Sequence, residues 1–375
     1  MIYSEILEIR KQFKHENCSI TKVSGCYVDG EKTIKTRFTE TFLGLPEEET
    51  FKYFEIFKKT LSGTIGKNLI NMDFPTDTEF DGGTQEFLLR LRDSELKEEA
   101  LLEAFYDKVI RMYDYVGNYL ILLIYSAYDV PGKASDKRVM EDASDEVYRY
   151  ILCSICPVKL SKPGLSYNED TNHIQKRIQD WVVAAPANGF LFPAFNDRST
   201  DLHSVLYYSS DPEELHTDFV DQLLGCSVPM SAGGQKETFQ TLITETLGEA
   251  CEYEIVRNIH EKLNEIIEEH KMNEIPEPLT LDKAEVKTLF AECGIEEERL
   301  QEFENKYDQV AGEKTALLVA NVTNTRAFEV KTPDVIIKVN PDRTDLVETK
   351  VVDGRKCLVI EINDQVEVNG IVVKA

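Results

Sequence analysis

The chain has no apolar stretch long enough to cross a bilayer. Its most apolar run extends only from Tyr119 to Tyr125, against the roughly 20 residues that a membrane helix needs. The first residues, Met1-Ile2-Tyr3-Ser4-Glu5, lack the basic start and apolar core of a secretory signal. Without an export signal, the eight cysteines are expected to be reduced thiols, and a cytoplasmic location is expected. Positive charge is scarce: 42 Lys and Arg stand against 68 Asp and Glu, a net charge of −26. That excess aids solubility and repels phosphate backbones and anionic membranes at long range. No membrane partner is expected, but a local basic patch remains compatible with it.

Catalytic signatures are also missing. There is no Gly-x-Ser-x-Gly elbow, kinase set or Gly-x-Gly-x-x-Gly turn. The six histidines, His15, His173, His203, His216, His260 and His270, show no metal-binding spacing. His260 and His270 fall in a charged helical stretch and read as solvated. No catalytic residue, cofactor or metal site is therefore assigned. The single C-x-x-C, Cys153-Ser154-Ile155-Cys156, lacks the second ligand pair of a structural zinc site. It lies in a strand-like run, where residues three apart face opposite sides, so both thiols read as structural. Gly63 to Asn68 is similar to a phosphate loop. However, Leu61 stands where the first glycine belongs, and Asn68 replaces the magnesium-binding hydroxyl. A helix stop explains it better. Ala232-Gly233-Gly234-Gln235-Lys236 reads as a flexible loop before a helix.

What the chain does have is core material: 42% hydrophobic and 9% aromatic residues over 375 positions, enough for two or three domains. A short helix is expected from Ser4 to about Phe13. Asp29-Gly30 marks a hairpin between Val23–Val28 and Lys32–Phe38. Pro46 with Glu47, Glu48 and Glu49 opens a helix whose aromatic face is Phe51, Phe54, Phe57 and Leu61. A strand at Leu69–Phe74, a loop at Pro75–Gly83 and helices at Gln85–Arg92 and Leu96–Tyr113 follow. Tyr119–Tyr128 and Val147–Val158 read as buried strands around a polar loop at Val130–Ser144. Trp181-Val182-Val183 continues the sheet. Then come Phe190–Phe192, a polar turn, Val205–Tyr208, a helix opened by Asp211-Pro212-Glu213-Glu214, and helices at Glu237–Leu247 and Tyr253–His270. Two prolines in Asn273–Pro278 mark a boundary. Beyond it lie a helix pair, Leu281–Cys293 and Glu296–Val310, and β-rich segments with Asp353-Gly354 and Asn369-Gly370 turns. The expected fold is α+β: a mixed or antiparallel sheet body with flanking helices over 1–272, a linker at 273–280, and a smaller helix-pair plus β-rich domain over 281–375.

One internal echo points to a site. Asn196-Asp197-Arg198-Ser199-Thr200-Asp201-Leu202 matches the pattern of Asn340-Pro341-Asp342-Arg343-Thr344-Asp345-Leu346. Both read either as turns stabilised by their own Asn, Asp and Thr side chains or as loops presenting arginine to an anionic ligand. On the second reading the ligand-binding residues are Asn196, Asp197, Arg198, Asp201, His203, Asp342 and Arg343, with His203 beside Asp201 as an alternative general base. The stripe Ile255, Val256, Ile259, Leu263, Ile266 and Ile267 on the 253–270 helix packs on its own core or makes a homodimer contact.

Several stretches carry a family likeness: Gly25–Gly30, Lys58–Gly63, Ala104–Lys108, Tyr150–Leu160 and Gly189–Arg198. On these the chain resembles, over nearly its whole length, an uncharacterised bacterial family known chiefly from gut Firmicutes and described as a domain of unknown function. The resemblance implies a bacterial cytosolic protein and supplies no activity. More remotely, Leu206–Leu247 is similar in layout to the bacterial nucleoid-associated protein family, the matching residues being Phe219, Leu223, Leu224, Gly225, Cys226 and Lys236. That likeness implies nucleic-acid association, as a dimer, and gives no catalytic residue. Three readings follow. The first is a non-enzymatic nucleic-acid-associated protein using cations such as Lys32, Lys35, Arg37, Lys159, Lys162, Arg198 and Arg343. The second is a protein–protein adaptor or homo-oligomer. The third is an enzyme or binder of an anionic small molecule at the Asp197/Arg198 loop.

Overall fold

The computed structural model describes residues 1–76, 82–133, 139–362 and 365–373. It divides into two compact units, Met1–Ser231 and Ala232–Ala375.

Unit 1 is built on one antiparallel sheet of β1 (Ile20–Val28), β2 (Ile34–Thr41), β3 (Leu69–Asp73), β4 (Asn118–Lys133), β5 (Val139–Leu160), β8 (Trp181–Val183), β9 (Asn188–Phe192) and β12 (Ser204–Ser209). Their order is β2-β1-β4-β5-β9-β12-β3, with β8 paired to β5. Helices cover both faces. On one face, α1 (Tyr3–Arg10) and α2 (Glu47–Thr60) place Ile6, Phe54 and Phe57 against Leu122, Ile124 and Leu152. On the other, α3 (Thr84–Asp93), α4 (Glu99–Met112) and a π-helical turn (Phe219–Leu224) place Leu88, Phe105 and Phe219 against Ile121, Leu123 and Ile151. The unbroken apolar run at Tyr119–Tyr125 follows from this: a strand covered on both faces has no polar side to alternate with.

Several local expectations are corrected. The first hairpin forms, but its positive φ falls at Lys32 rather than at Gly30, because Asp29 closes a wider loop onto Thr33. The span from Val130 to Ser144 is largely strand. β4 continues to Lys133 and β5 starts at Val139, since ladder bonds need no apolar side chains; residues 134–138, and 77–81 of the Pro75–Gly83 loop, lie outside the described residues. Asp211–Glu214 forms a turn and opens no helix. The Ser209 hydroxyl donates toward the carbonyls of Asp211 (2.7 Å) and Glu214 (2.9 Å), and the Asp211 carboxylate takes the Glu213 amide (3.0 Å).

Unit 2 starts at α5 (Ala232–Leu247), so Gly233 and Gly234 lie in its first turn and form no loop. The other helices are α6 (Tyr253–Met272), α7 (Lys283–Glu292), α8 (Glu297–Leu300), α9 (Phe303–Val310) and α10 (Val319–Val322). The units separate at Ser231–Ala232 and not at the proline-bearing 273–280 segment. Phe239 and Leu242 of α5 and Ile259 and Leu263 of α6 share one core with Val286, Phe290 and Phe303. A short strand pair, β13 (Thr280–Leu281) with β14 (Leu317–Leu318), closes the segment around α7 to α9. Asp282 caps α7 reciprocally with Glu285, both bonds at 2.8 Å. The expected helix over Glu296–Val310 is two, α8 and α9. The chain ends in three hairpins: β15–β16 (Phe328–Lys331, Ile336–Val339), β17–β18 (Val347–Val352, Arg355–Ile360) and β19–β20 (Val366–Val368, Ile371–Val373). Asp353-Gly354 and Asn369-Gly370 turn two of them, all four residues with positive φ.

Candidate functional site

Five of the seven expected ligand residues meet in unit 1. β10 (Ala194–Asn196) and β11 (Ser199–Asp201) form a two-stranded hairpin turned by Asp197 and Arg198, with φ of 53° and 56°. The Arg198 guanidinium forks the Glu8 carboxylate, Nε to Oε2 at 3.0 Å and Nη2 to Oε1 at 2.9 Å. It also reaches the Pro131 carbonyl at 3.0 Å, while its backbone amide donates to Glu5. Asp201 accepts from Asn196, from the His203 amide and from Ser204. Burial alone would raise the Asp201 carboxyl, but these hydrogen bonds hold it below the usual range. Glu146 is held low in the same way by Thr200 and Ser199. Arg198, Asp201 and Glu146 thus all have uses inside the fold, which makes this corner a structural clamp between α1, β5 and β12. His203 is exposed and contributes its backbone to that clamp.

Asp342 and Arg343 belong to unit 2 and sit in a 3₁₀ segment, Pro341–Leu346, with no resemblance in conformation to the hairpin. Arg343 pairs with Asp345 at 3.1 Å, and the Asp342 amide is capped by Asn340 at 3.2 Å. The shared pattern reflects turn chemistry. Among the described residues no cluster of three His, Cys, Asp or Glu is arranged to hold a metal.

Cys153 and Cys156 are buried on opposite faces of β5, one in each core layer. Burial pushes Cys153 well above the ordinary thiol range and Cys156 up to about 12. The α6 stripe is spent on its own core: Ile259 and Leu263 are buried, and Ile255, Val256, Ile266 and Ile267 pack beside them. No helix among the described residues is long and apolar enough to cross a membrane.

The cations named from sequence differ sharply in their surroundings. Lys35 pairs with Asp29, Arg37 with Glu103, Arg198 with Glu8 and Arg343 with Asp345. Lys159 and Lys162 form no ion pair among the described residues, nor do Lys176 and Arg177. These four lie on one two-stranded ribbon. It starts where Val158 faces Val183 and Lys159 faces Val182, and continues through Ser161–Asp180 and Gly164–Arg177 bonds. It ends in the hairpin of β6 (Leu165–Asn168) and β7 (His173–Lys176), in a single register. Leu165, Tyr167, Ile174 and Lys176 share one face of that hairpin, and the first three are 77%, 56% and 62% exposed. Trp181, at the base, is 57% exposed. Sequence reasoning misses the ribbon because β6 and β7 are only four residues long and Pro163-Gly164 separates β6 from β5. The turn cluster Asn168-Glu169-Asp170-Thr171-Asn172 is the signal that marks it.

The chain belongs to the family described as Domain of unknown function (DUF4317), whose model matches residues 1–371. No curated protein and no solved structure matches the chain.

Proposed function

We propose that this protein associates with nucleic acid along the ribbon of residues 159–183, as a non-enzymatic bacterial cytoplasmic protein of nucleoid type. The carrying observation is that Lys159, Lys162, Lys176 and Arg177 have no ion pair among the described residues and lie on a strand pair that also exposes Tyr167 and Trp181. A two-stranded β-ribbon fits the major groove, and aromatic faces accept stacked bases. Arg198 and Arg343, the cations of the two echoed loops, are neutralised within the fold.

The net charge of −26 opposes such binding at a distance. At about 0.1 M salt the screening length is roughly 10 Å, so acidic residues far from the ribbon are damped while contacts on it are not. Trp181 is the only tryptophan in the chain and serves as a reporter. Titration with duplex DNA, single-stranded DNA and RNA is expected to quench its emission. An unchanged spectrum with all three would refute the proposal.

A second reading, a protein–protein adaptor or homo-oligomer, draws support from one face of the same ribbon, because Leu165, Tyr167 and Ile174 are apolar and exposed together there. Self-association in light scattering that Leu165→Ser abolishes would favour it.

A further inference from the structure

Unit 2 contains a cleft of about 500 Å³ lined by α5, α6, α10, β15 and the loops before α6 and β15, all within that unit. This size falls in the range of small-molecule sites, roughly 300–1,000 Å³. Its apolar wall is made of rings held in fixed geometry. Phe328 meets Tyr253 edge-on at 6.2 Å and His260 edge-on at 5.9 Å. The Tyr253 hydroxyl donates to the Val347 carbonyl at 3.0 Å, which fixes that ring from the far side. The His260 Nδ1 lies 3.2 Å from the Thr323 hydroxyl, which fixes the imidazole.

His260 lies two helical turns beyond Tyr253 and one beyond Val256, on the same face, and lines the cleft instead of facing solvent. Burial, reinforced by the charge of Lys236, pushes its pKa below the usual value. Charge in the cleft is unequal. Lys236 and Lys331 line it without any ion pair among the described residues. Of the two lining carboxylates, Glu329 is taken by Lys338 at 3.1 Å, which leaves Glu252. A pocket that pairs flat apolar walls with surplus uncommitted ammonium groups is complementary to a flat molecule bearing a negative group.

We infer that this cleft binds a small planar aromatic anion, of about the size of a nucleoside monophosphate, with its ring against Tyr253 and Phe328 and its charge met by Lys236 and Lys331. The site is independent of the ribbon, which belongs to unit 1.

The test uses the full chain with AMP as probe, read by saturation-transfer NMR on the adenine protons and by calorimetry. Adenosine and inorganic phosphate serve as half-ligands. AMP is expected to bind below about 1 mM, and each half-ligand about tenfold or more weaker, as expected when two contact types add. The double variant Lys236→Ala, Lys331→Ala is expected to weaken AMP by about tenfold or more, the worth of one charge-assisted contact. Its melting temperature should be unchanged, because both lysines are uncommitted. The ribbon variant Lys159→Gln, Lys162→Gln, Lys176→Gln, Arg177→Gln is expected to bind AMP like the parent. No saturation transfer with the folded parent, or undiminished binding in the lysine double variant, would overturn the inference. So would phosphate binding as tightly as AMP. Loss of AMP binding in the ribbon variant would place the ligand in unit 1 and overturn it as well.

Discussion

Arg198 and Glu8, 190 residues apart in sequence, are joined by two parallel hydrogen bonds. Both side chains are largely shielded, at 19% and 23% exposure. Removing one partner leaves the other charge poorly solvated. Arg198→Ala is therefore expected to destabilise unit 1 by about 2 kcal/mol in urea unfolding. It should leave nucleic-acid affinity intact. A variant of parental stability but lost binding would restore Arg198 to a ligand role.

The placement of Cys153 and Cys156 in opposite core layers makes a disulfide between them unattainable and their thiolates rare. Under native conditions, N-ethylmaleimide is expected to modify exposed Cys251 first and to reach Cys153 and Cys156 only after unfolding. Mass spectrometry showing early labelling of either, or a 153–156 disulfide, would contradict the two-layer core.

Gly189 is a packing constraint. A Cβ built there would lie 2.3 Å from the Cys153 carbonyl oxygen and 2.6 Å from Thr60 Cγ2. Backbone cannot yield as a flexible side chain does, and α2 closes the other side. Gly189→Ala is expected to cost about 3 kcal/mol. Unfolding at parental denaturant concentrations would show that β9 does not pair with β5 beneath α2.

Two histidines tie stability to pH. Burial lowers the pKa of His216, against the opposing charges of Glu214 and Asp114; burial and Lys236 lower that of His260. As pH falls below the unfolded value of about 6.5, the unfolded chain takes up protons that the folded chain refuses. The stabilisation is thus complete above that value and is lost as pH falls through the folded pKa. The melting temperature is expected to drop between about pH 7 and pH 5. His216→Asn with His260→Gln should reduce the drop; asparagine tolerates the positive φ of 47° at position 216. An identical pH profile in the double variant would sink this account.

Local regularities are legible in the sequence, and long-range partnerships are not. The two-residue period of a strand is enough to put Cys153 and Cys156 on opposite faces. Asp353-Gly354 and Asn369-Gly370 declare their turns through backbone preference. The helical stripe on 253–270 contains Ile259 and Leu263, the two residues of α6 that are fully buried. By contrast, nothing near Arg198 reveals that Glu8 will neutralise it. Likewise His260 shares a face with Tyr253 and Val256 in sequence, but Phe328 completes the cleft only through tertiary packing. The stretch Leu206–Leu247, whose layout suggests a nucleoid-type relationship, spans the division at Ser231–Ala232, with β12 and the π-helical turn in unit 1 and α5 in unit 2.

The most direct test of the nucleic-acid proposal is the salt dependence of binding, measured by fluorescence anisotropy of labelled DNA and RNA between about 50 and 200 mM salt, the range in which phosphate contacts dominate. Four ribbon cations on phosphates predict a slope of log K against log salt of about −3 to −4. The variant Lys159→Gln, Lys162→Gln, Lys176→Gln, Arg177→Gln should lose both the affinity and the slope. No binding by the parent across that range, or an equal slope in the variant, would contradict the assignment of the ribbon as a nucleic-acid interface.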